Sequence, residues 1–276
     1  MTVLIELPGV LSDTTGLERV VTTINGFPEE GMADLFLFSN SSGTAVTNAL
    51  PGRDAALIEQ VNSGDYASGH TWLSGGGGLE LQGTQIVSMP AFKADEPWTL
   101  VYAGAITGHL SGATEALAAL IAFRDRSTAN VRGPVLFARS FQAGGTSGYY
   151  QGRAWQGSSE GASVSPAPSS ASIVGSRRVS IMSYNGLDTV AIAIYDKNAA
   201  VISAATVSAT DAGMTTNAGV VKSEVQPSIG VSNGIYDGGI QQVETFARYS
   251  RLLTSEDVTR ICANAAVLGG SRGRVW

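Results

Sequence analysis

Cys262 is the only cysteine of the chain, so no internal disulfide can form and stability must come from a packed core. Histidine is almost as scarce. His70 and His109 are the two present, and neither lies in a zincin or nucleophile-elbow pattern. Charged residues make up 14% of the sequence, well below the roughly 25% of ordinary proteins. Lys and Arg number 17 against 23 Asp and Glu, a net charge of −6. That deficit of positive charge argues against a nucleic-acid backbone as partner. No apolar run is long enough to span a bilayer. The most apolar stretch, Leu100 to Phe123, is broken by His109, Glu115 and several Gly and Thr, which argues against membrane insertion. The opening MTVLIELPGV lacks the basic start and apolar length of a secretory signal, so synthesis in a cytoplasm is expected. The glycine run Gly75 to Gly78 has neither the lysine nor the strand-to-helix setting of a phosphate loop.

What is present is turn chemistry and short β-prone runs. Glycine occurs 34 times, with Ser, Thr and Ala plentiful. Runs suited to strands are Val3–Leu7, Leu35–Phe38, Leu79–Leu81, Trp98–Ala105, Ala116–Phe123, Val135–Arg139, Tyr149–Trp155, Arg178–Tyr184, Thr189–Tyr195 and Ala200–Val207. Ala116–Phe123 is rich in Ala and Leu, so a helix competes there; its turn-rich surroundings favour a strand. Residues 52–63 are expected to hold a short helical turn around Ala55, Leu57 and Ile58. Residues 156–172, QGSSEGASVSPAPSSAS, read as a low-complexity loop. Strands at this spacing, nearly without helix, imply an all-β, two-sheet antiparallel sandwich.

The end of the chain is the most informative part. Ile240, Val243, Phe246 and Tyr249 mark a strand whose imperfect alternation implies a bulge near Gln241–Gln242. Thr254 suits an N-cap, with Asp257 three residues on as a variant capping box. Leu253 and Val258 are placed as a hydrophobic staple. Val258, Ile261, Cys262, Ala265 and Leu268 fall on one helical face, and Gly269 is the expected stop. The helix reads as a cover for the core, and Cys262 as a small buried hydrophobe.

Five segments, in order, resemble concanavalin A-like (laminin G-like) jelly-roll domains. They are Leu35-Phe36-Leu37-Phe38-Ser39, Gly78-Leu79-Glu80-Leu81, Trp98-Thr99-Leu100-Val101-Tyr102, Val190–Ile194 leading into Tyr195-Asp196-Lys197-Asn198, and Ile229-Gly230 through the final helix. Asp196-Lys197-Asn198 replaces the Asp-Gly turn usual in the family. The resemblance implies an N-terminal arm over 1–33, a jelly-roll domain over 34–270 with its short C-terminal helix, and a tail over 271–276. Glycoside hydrolases on this fold carry an E-x-D-x-x-E strand. This chain has no such triplet, and its acidic pairs Glu29-Glu30, Asp95-Glu96 and Glu256-Asp257 do not replace it. The expectation is therefore a non-enzyme.

Binding and assembly remain. Relatives of this fold often bind glycans, and flat aromatics with polar neighbours nominate Trp72, Tyr149, Tyr150, Arg153 and Trp155; a core or subunit role competes for the aromatics. No cofactor is expected. Calcium, which some relatives hold, would fall to Asp211 and Asp237, although both also suit ordinary turns. Val3, Leu4, Ile5 and Leu7 of the arm, and Trp276 of the tail, are the candidate subunit contacts. Low charge also fits a surface covered by neighbours. Composition and style resemble the jelly rolls of bacteriophage virion proteins. A tail, fibre or capsid-surface spike, located in the virion and contacting itself, other virion proteins or cell-surface polysaccharide, is the expected role. A free lectin and a glycanase with an unrecognised site are the alternatives.

Overall fold

Period-2 alternation along the strands sorts this chain's apolar residues into two faces, and two cores result. The computed structural model describes residues 23–40, 42–60, 68–111, 113, 115–124, 133–141, 147–156, 159–164, 173–210, 225–230 and 238–276. For 23–24, 115–117, 124, 133, 139–141, 147–149, 151–156 and 159–164 the backbone alone is described. A hairpin of β1 (Thr23–Ile24) and β2 (Phe27–Pro28) precedes the sandwich. One sheet runs β13 (Ser159–Val164), β12 (Ser147–Gln156), β11 (Gly133–Phe141), β10 (Glu115–Arg124), β17 (Gln226–Ile229), β8 (Gln85–Ser88), β5 (Ala56–Gln60) and β4 (Ala45–Val46). The other runs β16 (Val201–Ser208), β15 (Thr189–Tyr195), β14 (Arg178–Tyr184), β9 (Trp98–His109), β18 (Gly239–Tyr249), β7 (Leu79–Gln82) and β6 (Gly69–Trp72). β3 (Met32–Leu37) joins that sheet by pairing with the second half of β18. The strand pairings are antiparallel. The fold is the expected two-sheet sandwich with one C-terminal helix, α1 (Ser255–Ser271).

The main core lies between the sheets. Trp98 stands against Phe123 with ring centroids 5.4 Å apart, and Phe92 meets Trp98 edge-on at 5.9 Å. Tyr102, Met182 and Phe246 join from β9, β14 and β18. The second core lies on the opposite face of the β9–β14–β18 sheet. Val101, Ala103, Val179, Ile181, Ala247 and Tyr249 pack there against Val258, Ile261, Cys262 and Ala265 of α1. Both faces of these central strands are therefore apolar, which explains their near-continuous hydrophobic runs. Phe27 is fully buried in this second core. Asp34 is buried too, accepting from Arg248 Nε at 2.5 Å and Asn48 Nδ2 at 2.8 Å. β3 begins at Met32, so no break in structure falls between residues 33 and 34. The arm strand Val3–Leu7 lies outside the described residues.

Three local expectations need correction. Residues 56–60 form β5 and not a helical turn, because Ala56 and Ile58 face the core while Leu57 faces out. The stretch 156–172 contains β13, which hydrogen-bonds to β12; its Ser and Ala supply backbone pairing without needing bulk. Gly269 does not end α1. The helix runs to Ser271, and Gly273 takes the left-handed conformation at φ +73°. Its N–H donates to Gly270 O at 3.0 Å and that of Arg274 to Gly269 O at 2.8 Å, a Schellman closure. The bulge in β18 is present: pairing with β9 shifts between Ile240 and Gln241, and again between Val243 and Thr245. Ala116–Phe123 lies within strand β10.

The helix start follows its sequence. Thr254 Oγ1 accepts from Asp257 N at 3.2 Å and Thr254 N donates to Asp257 Oδ2 at 2.9 Å, closing the capping box. Arg251 Nη1 adds an ion pair to the same carboxylate at 2.7 Å. Burial works to raise the Asp257 pKa, but the hydrogen bonds from Arg251 and Thr254 and the Arg251 charge outweigh it, and the value is lowered. Burial, with the nearby Asp196 charge, pushes the Cys262 thiol up to about 12, which suppresses its thiolate. Among the described residues no helix is long and apolar enough to cross a membrane.

A depressed carboxylate pKa stabilises the fold above its unfolded value, and that contribution is lost as pH falls through the folded value. Asp257→Asn should therefore lower stability at pH 7 by about 1 kcal/mol and shrink toward no effect below the folded pKa. Thermal unfolding followed from pH 7 down through the acid range checks this; a deficit that stays constant as pH falls would contradict it.

Candidate functional site

The second shift in β18 places a carboxylate where alternation would not. Val243 faces the inter-sheet core and Thr245 pairs with Ala103, leaving Glu244 as the extra residue between them. Gly78, at φ +119°, lets β7 approach: a Cβ there would lie 2.6 Å from Val243 O. Glu244 is 2% exposed. Its Oε1 accepts from Arg177 Nε at 2.5 Å and its Oε2 from the Trp276 indole Nε1 at 3.2 Å.

The polar chain continues across the strands. Arg177 Nη2 donates to Gln242 Oε1 at 2.9 Å, Gln242 Nε2 to Glu80 Oε2 at 3.0 Å, and Gln82 Nε2 to Glu80 Oε1 at 3.0 Å. Gln242 pairs with Glu80 in register, and Glu80 with Thr71 of the edge strand β6. Leu79 and Leu81 point into the inter-sheet core, so Glu80 and Gln82 lie on the opposite face, the one that α1 covers further along.

The tail closes one end of this row. Trp276 packs on the second core, and Lys197 Nζ donates to its carbonyl at 2.9 Å. Gly269 is the seat: a Cβ would lie 2.0 Å from the indole nitrogen. Gly77 makes the same allowance for Arg274, whose Nη2 would be 2.4 Å from a Cβ there. Arg272 Nη1 and Arg274 Nε are buried without hydrogen-bond partners. Burial lowers the Arg272 pKa and the Glu244 charge opposes that shift. Arg177, Arg272 and Arg274 against Glu80 and Glu244 give three positive charges to two negative ones. The site thus carries a local positive surplus on a chain of net charge −6. Amides, carboxylates, guanidiniums and an indole are the groups that hydrogen-bond and stack on sugars.

The sequence nominated different residues. Trp72 is half-buried, packs on the inter-sheet core and donates its indole N–H to Gly43 O at 2.8 Å. Tyr150 is 4% exposed and points into the same core, where burial pushes its hydroxyl up to about 12. Tyr149, Arg153 and Trp155 pair with Arg139, Val135 and Gly133 across β11; their side chains, like all of Val3, Leu4, Ile5, Leu7, Asp211 and Asp237, lie outside the described residues. Trp276, nominated for a subunit contact, is docked on its own chain. Among the described residues no group of three or more His, Cys, Asp or Glu is placed to hold a metal ion. Reasoning from sequence missed Glu80, Arg177, Gln242 and Glu244. The signals were a Glu interrupting a bulged strand, and glycines at Gly77–Gly78 and Gly269 where side chains would otherwise be expected.

No protein-family profile matches the chain, and no curated protein does. Solved structures do match. Trypanosoma rangeli sialidase superposes with a TM-score of 0.55 at 12% identity, over 87% of this chain and 33% of that one. Its complex with sialic acid gives 0.53 at 12%, over 87% and 34%. The binding domain of botulinum neurotoxin DC in complex with SialylT gives 0.51 at 10%, over 85% and 52%. The chain thus spans about a third of the sialidase and about half of the neurotoxin domain. At these identities the likeness is one of fold alone, a two-sheet antiparallel β-sandwich.

Gly269→Ala should expel the indole, whereas Gly270→Ala, whose Cβ meets open space, should leave it seated and add roughly 1 kcal/mol of helix stability. Acrylamide quenching of tryptophan emission should rise in Gly269→Ala only, and that rise should vanish in a Trp276→Phe background. Unchanged quenching in Gly269→Ala would show that the indole does not occupy this seat.

Proposed function

We propose that this chain is a non-enzymatic glycan-binding module whose ligands are acidic sugars. One observation carries the reading: a row of amides, carboxylates and guanidiniums beside an indole, with a local positive surplus on an acidic chain. Arg272 and Arg274 bring two guanidinium charges to the end of the row, which suits a sugar carboxylate, and Gln82, Gln242 and Glu80 offer hydroxyl partners. Neighbours of the same fold were solved with sialic acid and with SialylT, which makes sialylated glycans the first to test. Glu244 favours binding over catalysis: a carboxylate buried between a guanidinium and an indole is a poor nucleophile and a poor base.

A second reading, assembly within a virion, draws support from one edge. β16, VISAATVS, carries no charge or proline, ends its sheet among the described residues, and exposes Val201 at 60%. Edges that must stay single are usually protected by such residues. The two readings are compatible, since an attachment module can also be a building block.

A glycan array with paired sialylated and desialylated ligands tests the proposal, with the solution mass taken by light scattering on the same sample. Binding should require the sialic acid. Replacing both Arg272 and Arg274 by Gln should weaken it by roughly 10- to 100-fold, the loss of one or two charge-assisted hydrogen bonds. Equal binding of desialylated ligands, or none of any, would overturn the acidic-glycan reading, and a monomer would remove the support for self-assembly.

A further inference from the structure

Arg178 follows Arg177 directly and faces the other way, into the interior between the sheets. There it lines a small void with Tyr102, Tyr150 and Ser180, closed by apolar walls that include Leu120 and Ala138. The lining comes from β9 and β14 of one sheet and β10, β11 and β12 of the other. The void has room for about one water-sized species, so no sugar enters it and the outer row is a separate site.

Its chemistry is one-sided. No carboxylate lines it. Arg178 donates Nη1 to Arg177 O at 2.9 Å, and among the described residues no acid pairs with it. Ser180 is fully buried, and its hydroxyl has no hydrogen-bond partner, which is uncommon for a buried polar group. Tyr102 already donates to Gln242 O at 3.0 Å. Gly104 makes that possible, since a Cβ there would lie 2.6 Å from the Tyr102 hydroxyl. Burial raises the pKa of both phenols, so they stay neutral. Arg178 lies near enough to Tyr150 for its charge to work against that rise. What remains, beside Ser176 and the two phenols, is a guanidinium and an unpartnered hydroxyl lining a void with room for one water-sized species.

We propose that this void binds a single halide-class anion, chloride in ordinary buffers, held by the Arg178 guanidinium and the Ser180 hydroxyl. The anion offsets a charge that no acid pairs among the described residues and ties β14 to the opposite sheet. It binds the folded state only, so it stabilises by mass action.

Thermal unfolding in equal concentrations of sodium chloride, bromide and gluconate tests this. The unaltered protein should melt a few degrees higher in either halide than in gluconate. Ser180→Ala and Arg178→Gln should each lose most of that difference. Equal melting in all three salts, or a halide gain unchanged in both variants, would overturn the proposal and leave a water in the void. Should the variants fail to fold, anomalous diffraction from bromide-soaked crystals of the unaltered protein decides: a peak between Arg178 and Ser180 supports the anion, and its absence refutes it.

Discussion

The ion pair between Glu244 and Arg177 is the constraint on which the rest of the structure turns. β18 is the long central strand of its sheet, and its bulge is where its partner on one side changes from β7 to β3. A carboxylate left there is buried, and burying a charge without a partner is costly. Arg177 meets that requirement, and Gln242 and Glu80 extend the bonding outward to the sheet edge. The Trp276 indole satisfies the second carboxylate oxygen. The residue that resolves a register problem in the sheet thereby also organises the polar row and docks the tail.

Low charge content sharpens the effect. With 14% charged residues, few ionic groups are available, and several gather around one bulge. Arg177 and Arg178 show how alternation distributes them: consecutive arginines serve the outer row and the inter-sheet void. The same alternation explains why β9, β14 and β18 are apolar on both faces, one meeting the opposite sheet and the other α1.

Much of the fold was legible because its signals are local. Period-2 runs marked the long strands, and Thr254 with Asp257 marked the helix start. The irregularity of QQVETF marked the bulge. Where expectation failed, tertiary contacts decided. Residues 56–60 are too few to distinguish a turn of helix from a strand by pattern, and pairing with β8 settles them. Gly269 looked like a helix stop, but its lack of a side chain serves the indole seat, and the stop fell to Gly273. The site was the least legible part. Glu80, Arg177, Gln242 and Glu244 are scattered through the sequence and meet only through strand pairing, whereas the conspicuous aromatics Trp72 and Tyr150 are tied to the core. The positive surplus cannot be seen in a composition whose net sign is negative.

The most direct test of the account is a nuclear magnetic resonance titration of the protein with a sialylated trisaccharide. The Trp276 indole N–H and the side-chain amides of Gln82 and Gln242 should shift together and saturably, with the backbone of β6 and β7 following. If those signals stay fixed while shifts gather on Tyr149–Trp155 of β12, the glycan binds the other sheet, and the role assigned to the row beneath the tail is wrong.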